Sequence, residues 1–198
     1  MISPELPNTI ENIVGIDEAG RGALAGPVVV SAVMLTKNSP LNDLKDSKCL
    51  TESKRNMIYH TLISTTPYIR TAIINHHEID KTNILAATLK GMLYCINKLK
   101  PYSKEIIIDG NIGPKTDTYS YKTVIKGDQL IPAISAASII AKVTRDKIMK
   151  KLDRHYKHYD FAKNKGYGTK EHIERILSYG KSNVHRQTFN VTKQLNLF

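Results

Sequence analysis

No apolar stretch in these 198 residues approaches the roughly 20 that a membrane-spanning helix requires, which argues against a bilayer-embedded protein. The opening MISPELPNTIEN has neither a basic start nor an apolar segment, so no secretory signal is read there. Cysteine is nearly absent. Cys49 and Cys95 form no CxxC pair, which speaks against a disulfide framework and for reduced thiols in a cytoplasmic setting. There is no internal repeat and no low-complexity tract. The length suits one substantial core, and the 41% hydrophobic content is that of a folded domain.

Negative charge is also in short supply. The chain has 18 Asp and Glu against 29 Lys and Arg, a net charge of +11. Such an excess favours a polyanionic partner, most often nucleic acid. Residues 142–175 hold eleven of the basic residues and five acids, so +6 of the +11 lies there. Tyr156, Tyr159, Phe161 and Tyr167 are interleaved with those cations. Aromatic rings among cations suit stacking on sugars or bases beside phosphate contacts.

Periodicity and β-branched content predict strands at 13–17, 28–35, 68–75, 105–109 and 121–125. Helices are expected at 52–64 behind Thr51, at 83–99, at 131–153, and from Thr169 to just before Gly180. Ala133, Ala136, Ala137 and Ala141 would let the long helix pack close to a sheet. The expected fold class is therefore α/β around one sheet, with a helical last third. The tail beyond Phe189 reads as polar and loosely held.

The stretch VGIDEAGRGALAGPVVV formally contains GxGxxA after a strand, a weak match to a dinucleotide loop. Three features oppose that reading. The glycines lead through Pro27 into a strand rather than a helix, Asp17 and Glu18 stand where a pyrophosphate would sit, and no GxxxxGK[ST] follows. Acidic residues instead fall at predicted strand ends: Asp17 and Glu18 after the first, Asp109 after EIIID, and Asp128 after VIKG. If they converge they repel one another. A divalent cation removes the conflict, since Mg²⁺ takes carboxylate oxygens together with substrate phosphate. Two such ions roughly 3.5–4 Å apart can activate a water and stabilise a leaving oxygen in phosphodiester hydrolysis. Alternatively, Asp109 before Gly110 is a turn residue and Asp128 a helix cap. The residues alone leave both readings open.

The order of motifs GIDEAGRGALAGPVV, LKDSKCLTESKR, IDKTNILAATL, IIIDGN, VIKGD, ISAASIIAKVTRD, NKGYGTKEH and VHRQTF resembles the bacterial ribonuclease HII family nearly end to end. The resemblance implies a ribonuclease H-like fold with a mixed central sheet flanked by helices and a helical C-terminal part, spanning 1–189 as one catalytic domain with a flexible tail at 190–198. It implies an endonuclease that cleaves RNA in RNA–DNA hybrids and 5′ of single ribonucleotides in duplex DNA, leaving 3′-hydroxyl and 5′-phosphate ends and serving ribonucleotide removal in replication and repair. The implied catalytic and metal-binding residues are Asp17, Glu18, Asp109 and Asp128, holding Mg²⁺ or Mn²⁺, two ions when substrate is bound. Gly20, Arg21 and Gly22 would sense the ribose 2′-hydroxyl through backbone atoms, Tyr167 would pack on the junction sugar, and Lys48 would contact phosphate. Arg145 and His172 match family positions without an assigned role. Ala23, Cys49, Lys181 and Asn183 depart from the usual pattern.

The last five residues, QLNLF, are similar to the short peptide by which bacterial replication and repair proteins dock on the sliding clamp. Gln194, Leu195, Leu197 and Phe198 would make that contact; the other reading is a tail folded back on its own core. Two rival functions compete with this one. The neighbouring ribonuclease HIII type carries an N-terminal substrate-binding domain, for which an acidic pair at residue 17 leaves no room. A non-catalytic basic binding module would only be weakened by the carboxylates. A monomer is expected.

Overall fold

The structure is a computed structural model that describes residues 12–36, 39, 44 and 50–191. Five strands form one sheet in the order β3-β2-β1-β4-β5: β1 (Ile13–Ala19), β2 (Val28–Met34), β3 (Ile69–Ile74), β4 (Glu105–Asp109) and β5 (Lys122–Val124). β1 pairs antiparallel with β2 and parallel with β4. β3 joins β2 antiparallel, and β5 joins β4 parallel. The sheet is thus mixed, as the family resemblance implied.

Helices are α1 (Glu52–Thr65), α2 (His76–Lys81), α3 (Ile84–Leu99), α4 (Gly127–Leu130), α5 (Pro132–Asp153), α6 (Phe161–Asn164) and α7 (Lys170–Tyr179). Thr51 and Thr169 cap α1 and α7 as expected, accepting from the amides of Lys54 and His172. The sequence reading overlooked α2. Its six residues carry HHEIDK, too short for a 3.6-residue period to show, and only the Asn75 cap marks its start.

Alternation along the strands sorts the core into two layers. Ile13, Val33 and Ile107 face α1 and α5, against Ile134, Ala137 and Ile140. Val14, Ile16, Ala32 and Ile108 face α3, against Met92, Cys95 and Ile96. A third cluster, with Leu24, Ala25, Met149, Phe161, Ile173 and Val184, fastens the helical C-terminal region to the glycine turn after β1.

The packing of α5 on β1 positions the site. Gly15 has no side chain because a Cβ there would overlap the backbone of Ala133 and Ile134. Two residues along the strand is about 6.6 Å, and four along the helix is about 6 Å. Asp17, two beyond Gly15, therefore meets Ser138, four beyond Ile134. Ala19 comes next and packs with Ala141. The alanines foreseen for close packing, Ala133, Ala136, Ala137 and Ala141, are all buried.

Candidate active site

β1 and β4 run in parallel with Ile16 opposite Ile108. The next residue on each strand is an aspartate, Asp17 and Asp109, so register alone sets two carboxylates side by side at the carboxyl ends of parallel strands. That edge of an α/β sheet is where ligands bind. Asp17 is buried, and Ser138 of α5 hydrogen-bonds its carboxylate. Burial, reinforced by Glu18 and Asp109, raises Asp17 to about 8. Burial also raises Glu18, opposed by Arg21, whose Nη1 donates to Oε1 at 3.2 Å. Glu18 Oε2 is buried without a hydrogen-bond partner. Asp109 Oδ1 accepts from the Gly127 amide at 2.7 Å, which fixes the start of α4 and places Asp128 in its first turn. Asp128 is buried, and the cap position belongs to Lys126 in a left-handed conformation, so the helix-cap reading of Asp128 does not hold.

Three of the four carboxylates therefore sense one another, and Asp128 follows the residue that Asp109 anchors. Among the described residues, no group of three or more acidic, histidine or cysteine side chains is already gathered around one point as a ready metal cage. The donors nonetheless suit a hard divalent cation. They are all carboxylate oxygens, one has no other partner, and their mutual repulsion calls for positive charge.

The glycine turn after β1 is built on two buried arginines. Gly20 has φ +98°, and a side chain there would overlap Arg145 Nε. Arg145 donates from Nε to Pro27 O (2.9 Å), from Nη2 to Ala25 O (3.0 Å) and from Nη1 to Lys165 O (2.8 Å). Arg186 donates from Nε to Gly26 O (3.1 Å), from Nη1 to Arg21 O (2.9 Å) and from Nη2 to Gly20 O (2.7 Å). Burial and the adjacent Arg145 lower Arg186 to about 9, so it stays charged at neutral pH. The segment carrying Arg186 is held in turn by Lys181, whose Nζ donates to the carbonyls of Arg186, Gln187 and Phe189. Lys181 therefore ties down the 186–189 segment.

Tyr167 is half-buried beside that turn, with Arg145 5.0 Å and Lys142 5.5 Å from its ring centre. A cleft of about 270 Å³ runs between them, lined by Glu18, Gly20, Arg55, Ser138, Lys142 and Tyr167. The carbonyl of Tyr167 accepts from His172 Nδ1 at 2.8 Å, and His172 Nε2 lies 3.1 Å from His185 Nε2. His185 Nδ1 accepts from the Ser182 amide at 2.9 Å. One proton arrangement satisfies the chain: His185 Nε2–H donates to His172, and His172 Nδ1–H donates to Tyr167. Both rings are neutral, and a further proton would break a bond.

Burial, with His172 and Lys181 nearby, accordingly lowers His185 from 6.5 to about 3. The unfolded chain takes up protons that the folded one refuses. This contribution to stability is complete above about pH 6.5 and drains away as the pH falls toward 3. Asp17 titrates in the opposite sense over part of this window, so the informative quantity is a difference. The melting-temperature advantage of the wild type over His185→Gln should narrow as pH is lowered from 7 to 5, measured by thermal denaturation. A constant gap would contradict the neutral pair.

Sequence reasoning missed Ser138, Arg55, Lys142, His185 and Arg186. Ser138 was legible only through the register of α5 on β1, and Arg186 carried no signal beyond its motif. Lys48, Cys49 and residues 194–198 lie outside the described residues.

This mixed sheet, with carboxylates at the tips of its adjacent parallel strands, is the fold of the type 2 ribonucleases H. The crystal structure of ribonuclease H2 from Pyrococcus horikoshii superposes with a TM-score of 0.75 at 25% identity, covering 93% of this chain and 97% of that one. The ribonuclease HII solved in complex with PCNA from Archaeoglobus fulgidus gives 0.75 at 23%, covering 90% and 95%. Bst ribonuclease HIII in complex with Mn²⁺ gives 0.68 at 19%, covering 94% of this chain and 70% of that one. In sequence, the ribonuclease HII of Francisella tularensis subsp. mediasiatica is 46% identical over 183 residues, 92% of this chain and 97% of the relative. The family model for ribonuclease HII matches residues 14–192, and the chain belongs to that family. It is a ribonuclease H-type hydrolase.

Proposed function

We propose that the chain hydrolyses the phosphodiester on the 5′ side of a ribonucleotide, in RNA–DNA hybrids and at single ribonucleotides within duplex DNA, leaving 3′-hydroxyl and 5′-phosphate ends. The observation that carries this reading is the pairing of Asp17 with Asp109 at adjacent strand ends, with Glu18 beside them and Asp128 behind the Gly127 that Asp109 holds. Those four residues would hold Mg²⁺ or Mn²⁺. Such ions would supply Lewis-acid activation of a water and positive charge against the leaving oxygen. Ser138 orients Asp17. Gly20, Arg21 and Gly22 offer backbone to the ribose, whose 2′-hydroxyl marks RNA, and Tyr167 offers a ring to the adjoining sugar. Arg55 and Lys142 line the cleft as counter-charges for phosphate. The Mn²⁺ complex of the ribonuclease HIII supports the choice of cation class. Residues 1–189 act as a single catalytic unit in this reading, as a cytoplasmic monomer that removes misincorporated ribonucleotides.

The test is cleavage of a duplex with one ribonucleotide, mapped at nucleotide resolution. Strand scission 5′ of the ribonucleotide is expected with Mg²⁺ or Mn²⁺, and none in EDTA. Scission independent of divalent ions, or none with them, would refute the reading.

A second proposal concerns Gln194, Leu195, Leu197 and Phe198. The Archaeoglobus fulgidus relative is solved with PCNA, which supports clamp docking in general. Tethering would raise the local enzyme concentration on new DNA. A truncation ending at Thr192 should lose binding to the clamp of the source organism while cutting short free duplexes at the wild-type rate. Equal clamp binding by both forms would end the idea.

A further inference from the structure

Arg186 is fully buried, and the three hydrogen bonds of its guanidinium end on carbonyls of the glycine turn. A guanidinium without a hydrogen-bonded carboxylate is an unfavourable thing to bury. Packing alone would be served better by an apolar side chain. What the position uses is the planar fork, which reaches Gly20, Arg21 and Gly26 together and which a lysine cannot reproduce.

The consequence follows from peptide geometry. The described chain has no cis peptide bond. In a planar trans peptide the N–H points opposite to the C=O of the same unit. The Gly20 carbonyl shares its unit with the Arg21 amide, and the Arg21 carbonyl with the Gly22 amide. Pulling the Gly20 carbonyl inward onto Arg186 turns the Arg21 N–H outward, where Arg21 is exposed. A charged donor on a carbonyl also polarises the unit, making its N–H a stronger donor. Arg186 itself has little freedom. Phe189 lies 4.9 Å beneath the guanidinium, Lys181 holds the Arg186 carbonyl, and Asp80 accepts from the amides of Gln187 and Thr188.

We propose that Arg186 is a positioning residue for ribose recognition: by holding the Gly20 and Arg21 carbonyls inward, it fixes the glycine turn and presents the Arg21 amide as a polarised donor to the sugar–phosphate backbone of a ribonucleotide. The proposal rests on the reading that the glycine turn meets the substrate ribose, and it adds the residue that gives the turn its donor strength.

The test uses the full chain with Asp109→Asn to prevent cleavage, comparing affinity for a duplex carrying one ribonucleotide with affinity for the all-DNA duplex of the same sequence. Adding Arg186→Lys should cut the preference for the ribonucleotide about tenfold, roughly the effect of one hydrogen bond, while all-DNA binding stays constant. General misfolding would lower both affinities. A folded Arg186→Lys protein with its preference intact, or a parent without any preference, would overturn the proposal. Should Arg186→Lys fail to fold, amide NMR of the wild type in EDTA decides. The Arg21 amide resonance should move on adding the ribonucleotide duplex and not the all-DNA one, and equal responses would overturn the proposal. Failure of the functional reading is distinct, because the wild type would then not cut the ribonucleotide duplex with Mg²⁺ at all.

Discussion

Asp109→Asn is expected to slow cleavage of a single-ribonucleotide duplex at least about a hundredfold, since even outer partners of metal sites are worth 10–100-fold. The substitution keeps the Oδ1 acceptor for the Gly127 amide, so α4 should still begin where it does. It removes one of the charges that raise Asp17 and Glu18. In EDTA the variant should therefore melt no lower than the wild type. Loss of activity with unchanged or improved stability is what a functional carboxylate cluster produces, and what a structural turn residue does not. Steady-state kinetics and thermal denaturation on the same preparation check both halves. Near-normal turnover would remove Asp109 from the chemistry.

Gly15→Ala should have the largest effect on folding. Its methyl group would overlap the backbone of Ala133 and Ile134, which a rotamer change cannot relieve. Overpacking of this kind costs about 3 kcal/mol or more. For a domain of this size that corresponds to a melting temperature lower by roughly 6–12 °C. Because Gly15 lies on the same face of β1 as Asp17, any outward shift of α5 also withdraws Ser138 from Asp17. Activity should fall below what partial unfolding explains, although no carboxylate has been touched. A variant with wild-type melting temperature would mean that α5 does not approach β1 so closely.

The strands and long helices were readable in advance from β-branched apolar runs, from helix-favouring composition and spacing, or from a cap. The run EIIID at 105–109 and the alanine-rich stretch at 131–153 are cases in point. Convergence of the acids was not readable. Nothing local in IDE or IIID says that the two strands are parallel neighbours with Ile16 opposite Ile108, and that register is what joins them. The buried arginines were illegible for a related reason. Arginine is ordinarily an exposed residue, and only the path of the C-terminal segment along the glycine turn reveals that Arg186 faces carbonyls rather than solvent. His172 and His185 are 13 residues apart, and their contact depends on the turn at Gly180.

That C-terminal segment bears on how the enzyme is made. The Gly20 carbonyl and its Arg186 donor are 166 positions apart in the chain, so this contact closes a loop spanning most of the protein. Contacts of such long range form late, since the entropy of loop closure must be overcome before they are rewarded. During synthesis, β1 and its carboxylates precede by that distance the arginine that holds the glycine turn. A stretch of chain that stops short of Arg186 would hold all four carboxylate residues while leaving the Gly20 and Arg21 carbonyls without their guanidinium donor.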